Sequence, residues 1–394
     1  YVFTGTGLSM HIKKIMAGET IVYDLNNKRI KNRKRITIVP TSSSNFSKEE
    51  FRSEANQTVK MCTLGIRKIG VFLSGGLDSS LVAHELKKIT GEANTFTNRM
   101  EPHVAVPGEN YNSDAECASI LAQHEGYNHQ EVICTPKTVV DCWDDSINYI
   151  EQPVYNPSLS MYCYTNKFLS QNNIVVTMAG DMGDELLGGY SKYQNIRDGK
   201  YGTIKNHSDL IRAWMKRIKR PMPIENITVT ADDIHNELLK LYPEEIFNPN
   251  DVVNSYMALD CVTQVPEEFF NRNDKYGMAY SMEGRFPLAT KRFMTYCLDM
   301  PSTYKIGNGS ADTKLPIKRA YKGILHECII NKSKTGWTAP LAYWMFDNKN
   351  PQLLKMYKDK GNTKEIQKAT QKTAKSIIPK WIMRDWIKKY KMYF

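Results

Sequence analysis

Val71-Phe72-Leu73-Ser74-Gly75-Gly76-Leu77-Asp78-Ser79-Ser80-Leu81 is the stretch from which the rest of the chain is read. Val71, Phe72 and Leu73 make a short apolar run suited to a buried parallel strand, and Leu81, Val82 and Leu86 have the spacing of one helix face. Ser74-Gly75-Gly76 is the turn between them. Glycines there let backbone N–H groups approach an anion at the positive end of the following helix, with the hydroxyls of Ser74, Ser79 and Ser80 as extra donors. The stretch reads as a phosphate cradle, and the missing Lys before Ser/Thr excludes a Walker A loop. Asp78 would stand beside polyphosphate, where Mg²⁺ is the natural bridge between the two anions. The alternative is a Gly-rich turn with no ligand, which has little need of an acid and so many donors together.

Outward from this loop, the order of elements is β-α-β-α-β. A Ser47-capped helix runs to about Leu64 and leads into the strand at 69–73. Ala93 to Thr97 is the second strand. A helix from Ser113 carries Ala118, Leu121 and Ala122 on one face, and Gln130 to Cys134 is the third strand. The fold class expected is α/β, a doubly wound parallel sheet with helices on both faces and a mainly helical C-terminal region. Ligands of such sheets lie at the C-terminal ends of the strands, where Ser74 and Asn98 fall.

At 394 residues the chain is long enough for two domains. It has no apolar run of membrane-spanning length and no signal peptide. Its eight cysteines are scattered without metal-ligand spacing, which suits reduced thiols in the cytoplasm. The net charge of +11 is concentrated at the ends: residues 1–40 hold eight Lys/Arg against two acids and 347–394 thirteen against four. Basic ends around a mildly acidic body argue against a dedicated nucleic-acid enzyme, although a tail binding RNA or an acidic partner is an alternative to a solvated basic surface.

Three further stretches carry chemistry. Ile174 to Met178 reads as a strand ending in Ala179-Gly180-Asp181-Met182-Gly183-Asp184-Glu185-Leu186-Leu187-Gly188-Gly189-Tyr190. A carboxylate cluster there needs a counter-ion that metal-bound ATP would supply; the alternative is an exposed acidic loop. Asn271 to Leu288 contains Glu283-Gly284-Arg285 before Pro287, either an ion pair fixing a loop or part of a pocket. Asn331 to Trp344 brings Lys334 next to Gly336 and Pro340.

The first stretch resembles the pyrophosphate loop of the ATP pyrophosphatases. The acidic stretch narrows this to the asparagine synthetase group, which includes β-lactam synthetases and peptide cyclases, and all four stretches follow in family order over about residues 65–345. The resemblance implies a carboxylate adenylated by ATP with release of pyrophosphate, then displacement of AMP by an amine, ammonia in the asparagine case. It implies that Leu73, Ser74, Gly75, Gly76, Asp78, Ser79, Ser80, Asn98, Ala179 and Gly180 contact the nucleotide. By the same resemblance Asp78 and Asp184 hold Mg²⁺, Asp181 faces the acceptor and amine, Glu283 and Arg285 shape the acceptor pocket, and Lys334 acts on the phosphates. Four positions depart from the family pattern: Ala179 for Ser, Met182 for Gly, which is expected to narrow a channel, Lys275 for Arg and Ala289 for Asp.

The expected organisation is a remnant resembling the end of a glutaminase domain at 1–40, with a hairpin of Thr20–Asp24 and Ile36–Val39 turning at Asn26-Asn27. An ATP-binding core follows at 41–200, then an insertion at 201–250, a helical cleft-closing part at 251–346 and a basic, partly helical and mobile tail at 347–394. Within these, Met222-Pro223 is expected to break a basic amphipathic piece at Arg212 to Arg220, Ala231 to Leu241 reads as a helix, and helices resume at Val252 to Val262. The chain starts at Tyr1 and has no Cys before Cys62, so the N-terminal Cys nucleophile of such glutaminases is missing and glutamine hydrolysis is not assigned. The partners implied are a small carboxylate, aspartate first, and ammonia, either free or from a separate glutaminase subunit or an absent N-terminal domain. An inactive nucleotide-binding regulator is the non-enzymatic alternative.

Overall fold

A computed structural model describes residues 14–102, 105–106, 109–152, 156, 158–216, 230–332, 339–346, 350–360, 381–382, 385–386 and 388–389. The chain begins with strands β1 (Glu19–Asp24) and β2 (Arg29–Arg35), then α1 (Lys48–Met61), β3 (Ile69–Phe72), α2 (Leu77–Thr90) and β4 (Asn94–Met100). A two-residue pair, β5 (Ala105–Val106) and β6 (Glu109–Asn110), precedes α3 (Ser113–Glu125), β7 (Asn128–Cys134), α4 (Pro136–Tyr149) and α5 (Leu159–Gln171). Strand β8 (Val176–Met178) leads to α6 (Gly183–Leu187), α7 (Ser191–Arg197), α8 (His207–Met215), α9 (Ala231–Leu241) and α10 (Val252–Val262). After a π-helix at Val265–Phe270 come α11 (Asn271–Ala279), β9 (Glu283–Arg285), α12 (Lys291–Asp299), α13 (Ser302–Lys305) and α14 (Leu315–Ala320). Short helices α15 (Glu327–Ile330), α16 (Leu341–Phe346) and α17 (Pro351–Lys360) follow.

The central sheet has five parallel strands in the order β7-β4-β3-β8-β9. Parallel strands need crossovers, and α2, α3 and the segments after β7 and β8 supply them. Both faces are covered. Val71 and Leu73 point into a large core shared with α1, α2, α6, α10 and α12, while Phe72 packs on the other face with Phe96, Leu169 and Ile174. A third cluster joins α4 and α5 to Trp344 on α16 and Leu353 on α17. The chain reverses strand order at β3, so the crevice after β3 and β8 is the topological switch point.

The Ser47 side chain caps α1 as expected, accepting from Glu50 N at 3.3 Å. Helices at Ala231–Leu241 and Val252–Val262 also fall where the sequence pattern puts them. Two expectations are corrected. The partner of β1 is the basic run Arg29–Arg35 rather than Ile36–Val39, because a two-stranded ribbon is held by its backbone ladder and does not need an apolar face. The tail, expected to be mobile, docks where it is described: Trp381 stacks on Trp143 at 3.9 Å, and the Trp143 indole donates to Asp385 at 2.6 Å. Residues 217–229, where the Met222-Pro223 break was expected, lie outside the described residues. Among the described residues no helix is long and apolar enough to cross a membrane.

Candidate active site

The loop after β3 closes on itself before it can meet a ligand. Leu73 is buried, and its N–H continues the ladder to Phe96 O at 2.8 Å. Ser74 N donates to Ser79 Oγ at 3.1 Å, and Ser79 Oγ and Ser80 Oγ donate to Gly76 O at 3.2 and 2.8 Å. The hydroxyls of Ser79 and Ser80 therefore build the first turn of α2, and of the three only Ser74 is exposed. Gly75 has φ +65°, and a side chain there would run into the backbone of Asp114 on α3.

The acidic stretch after β8 presses directly onto this turn. A Cβ on Gly180 would lie 2.6 Å from Ser79 N, and one on Gly183 would strike the Asp78 carboxyl group. Glycine at both positions is what lets the two loops share one crevice. Ala179 is buried and its N–H donates to Arg285 O at 3.2 Å, which makes it a sheet residue as well as a crevice wall. Met182 has φ +77°, a region that costs a side-chain-bearing residue of order 1 kcal/mol or more. Its side chain is in the main core, so the channel it was expected to narrow is not where it points.

Asp78 in the first turn of α2 and Asp184 in the first turn of α6 converge on one ammonium, that of Lys314. Lys314 Nζ hydrogen-bonds Asp78 and lies 2.6 Å from Asp184 Oδ1. Lys314 precedes α14 with φ +52° and is 5% exposed. Burial alone would lower its pKa, but Asp184 and Asp78 outweigh that and hold it above the usual lysine range. Asp181 goes the other way: desolvation raises its pKa, Asp184 and Asp78 add to this, and Arg272 opposes it. Asn273 Nδ2 donates to Asp181 Oδ2 at 3.2 Å and ties α11 to the same stretch. Behind it, buried Glu185 is pushed up to about 8, first by desolvation and then by Asp184.

The remaining expected residues divide into near and far. Asn98 on β4 accepts from Thr165 Oγ1 at 2.9 Å. Arg285 forms an ion pair with Glu283 at 2.8 Å and donates to the carbonyls of Cys62 and Leu64 at 2.8 and 2.7 Å. That is the loop-fixing alternative weighed from the sequence. Register sets Glu283 level with Val176 at the start of β8 and Arg285 level with Met178 at its end, next to the crevice wall at Ala179. Lys334 and Gly336 lie outside the described residues. Just before them, Lys332 reaches Asp114 Oδ1 at 2.6 Å and Gly75 O at 3.4 Å, which ties the end of α15 to α3 and the loop after β3. Lys314, Lys332 and Asn273 escaped the sequence reading. The available signal was only that Lys314 and Lys332 flank short helices near the fourth stretch.

Comparisons with known proteins agree with this arrangement of motifs. The family model described as Asparagine synthase matches residues 50–384. The glutamine-hydrolyzing asparagine synthetase 1 of Bacillus subtilis (strain 168) is 23% identical over 317 residues, covering 72% of this chain and 48% of that protein. The human glutamine-hydrolyzing asparagine synthetase is 32% identical over 152 residues, covering 36% of this chain and 26% of the relative. An NMN synthetase structure from Francisella tularensis overlaps 60% of this chain and 95% of that one, with a TM-score of 0.28 and 15% identity. The chain spans about half the length of the bacterial relatives it matches, 48% and 46% for the first two. With the Asparagine synthase model running from the start of α1 into the C-terminal tail, through both acidic loops, the chain belongs to the asparagine synthase family.

Proposed function

We propose that this chain carries the synthetase chemistry of an AMP-forming carbon–nitrogen ligase, joining ammonia to a carboxylate, with the aspartate side chain as the first candidate. The observation that carries the reading is the convergence of Asp78 and Asp184 on a buried cation at the C-terminal ends of β3 and β8. Lys314 stands there as an ammonium, so the two carboxylates fit a cation. Among the described residues no group of three or more His, Cys, Asp or Glu side chains could hold a metal. Mg²⁺ held by Asp78 and Asp184 would thus take its other ligands from phosphate and water, and would offset charge on the leaving pyrophosphate.

The chain's own groups do the rest. The α2 N-terminus and the exposed Ser74 receive phosphate oxygens. Lys314, and Lys334 through the family resemblance, would neutralise the charge that builds as the α–β phosphate bond breaks. The substrate carboxylate attacks the α-phosphorus, pyrophosphate leaves, and ammonia displaces AMP from the acyl-adenylate to give the amide. Asp181, whose pKa is raised, accepts the proton that ammonia must lose. Ammonia comes free or from a separate glutaminase, and a cytoplasmic setting suits an ATP-consuming reaction of this kind. A different acceptor with unchanged chemistry is the second reading; it is favoured by Lys275, which is spent on an ion pair with Glu151 and lacks the planar fork of an Arg.

Pyrophosphate release from Mg-ATP, measured with a panel of carboxylates with and without ammonium in wild type and Lys334→Ala, tests this. Asparagine formed from aspartate and lost in the variant is the expected result. Release with another acid replaces the substrate, and ATP binding without turnover on any acid overturns the ligase reading.

A further inference from the structure

Two of the cysteines meet in the cluster that joins α4 to α5. Cys142 on α4 and Cys163 on α5 are both buried there. The helices pack along each other, and Ser146 Oγ on α4 stands 3.3 Å from Ser160 Oγ on α5. Residues three and four apart share a helix face, so one turn back along α4 and one turn on along α5 the next two side chains to face each other are Cys142 and Cys163. Their thiols are hydrogen-bonded to one another. On the far side of Cys163 the Tyr280 hydroxyl, at the end of α11, lies 3.4 Å from Sγ. Burial pushes the Cys134 and Cys297 thiols up to about 12, as suits inert core cysteines. Cys142 goes the other way: the hydrogen bond with Cys163 lowers its pKa and Lys167 adds to this, while burial, Asp145 and Asp141 oppose it.

Thiols in contact across two packed helices are within the reach of a disulfide. We infer that Cys142 and Cys163 form a reversible disulfide in the presence of hydrogen peroxide, a redox lock that fixes α4 to α5. The Cys142 thiolate attacks one peroxide oxygen, the O–O bond breaks, and the hydroxide that leaves takes up a proton to become water. Cys142 is then a sulfenic acid. The Cys163 sulfur gives up its proton and attacks the Cys142 sulfur; the S–S bond forms, the S–O bond breaks and a second water departs. Two thiols are oxidised and one peroxide is reduced, and a dithiol reductant reverses the change. Peroxide is small and uncharged, which suits a buried pair closed to bulky reagents. The bond would join residues 142–163 in a ring that includes Glu151 and Gln152, which contact Lys275 and Glu267 O. Thr165, two residues beyond, donates to Asn98 on β4. Neither thiol has a part in the ligase reading, so the inference stands apart from it.

The test treats the reduced chain with hydrogen peroxide, removes the excess with catalase, blocks free thiols with N-ethylmaleimide in acid urea and maps the cysteines by peptide mass spectrometry. The expected result is a peptide pair joined through Cys142 and Cys163 that dithiothreitol separates. The oxidised chain should melt about 4 °C higher than the reduced one, because the ring restricts the unfolded chain. Cys163→Ala should leave Cys142 as a sulfenic acid, which dimedone added with the urea traps. Cys142→Ala should give neither the joined peptides nor a dimedone adduct on Cys163. Joined peptides between other cysteines, or Cys142 and Cys163 recovered as blocked thiols after the remaining cysteines are oxidised, overturn the inference. So does a joined pair with no rise in the melting midpoint, since nothing is then locked. If the alanine variants do not fold, the wild-type peptide map and melt decide the matter by themselves.

Discussion

Two buried acidic knots, one at the end of the sheet and one among the helices, use the same side chains to opposite ends. Asp260 on α10 is fully buried and receives the Tyr193 hydroxyl and the Trp214 indole, each at 2.9 Å, while Lys192 Nζ lies 2.7 Å away. Lys192 in turn sits over the rings of Tyr190 and Tyr193. One acid there is matched by one base and two neutral donors. In the crevice, Asp78 and Asp184 both pair with Lys314 among the described residues. The first arrangement closes a balance and joins α7, α8 and α10. The second gathers carboxylates around an ammonium at the mouth of the loop after β3, a setting suited to a cation.

That contrast can be broken experimentally. Asp78→Asn should lower pyrophosphate release on the order of 1,000-fold with little change in thermal midpoint, whereas Asp260→Asn should leave turnover per folded molecule alone. Equal kinetic losses in the two variants would erase the distinction. Next in size, Asp260→Ala should cost about 3–5 kcal/mol in urea denaturation, because it strands Lys192 in a buried site. Lys314→Met should make the protein's stability depend on Mg²⁺, by roughly 2–3 kcal/mol at a hundredfold excess over Kd, and Lys192→Met should not. Thermal melts across a Mg²⁺ series read both.

The smallest effect concerns Glu185, which lies between the two knots. Burial and the neighbouring Asp184 push its pKa up to about 8, well above the usual 4.5 of a glutamate. The native state therefore binds more protons than the unfolded state between those limits, and stability falls as pH rises through that window. Glu185→Gln should flatten this fall, most clearly near pH 8, in denaturation curves taken from pH 5 to 8.5. An unchanged slope would place the pH dependence elsewhere, with Asp181 the next group to test.

The sequence was most legible where neighbours in the chain make the structure. The strand-turn-helix around Ser74, the Ser47 cap and the α9 and α10 periods all depend on contacts within a few residues, so residue type and spacing suffice. It was less legible at β9, three residues long and too short to show a period, and at β2, whose charged residues form a strand because β1 supplies the ladder. The expectation for Arg285 reached only as far as an ion pair or a pocket. Its two backbone acceptors, more than 200 positions away in the chain, were not legible at all.

By itself, then, the sequence determined the family's loops, the α/β class and the two carboxylates at the phosphate site, because each is written in a local pattern. Only the tertiary structure decided which cation they share and which residue waits beside Asp181. Lys314 is one of 53 Lys and Arg and lies 236 residues from Asp78. Nothing in its own neighbourhood marks it, since the field that holds its charge comes from loops that meet only when the sheet is built. Arg272 is distinguished in the same way, by a buried guanidinium stacked on Tyr162 whose Nε has no hydrogen-bond partner among the described residues, a property that exists only once the chain has folded around it.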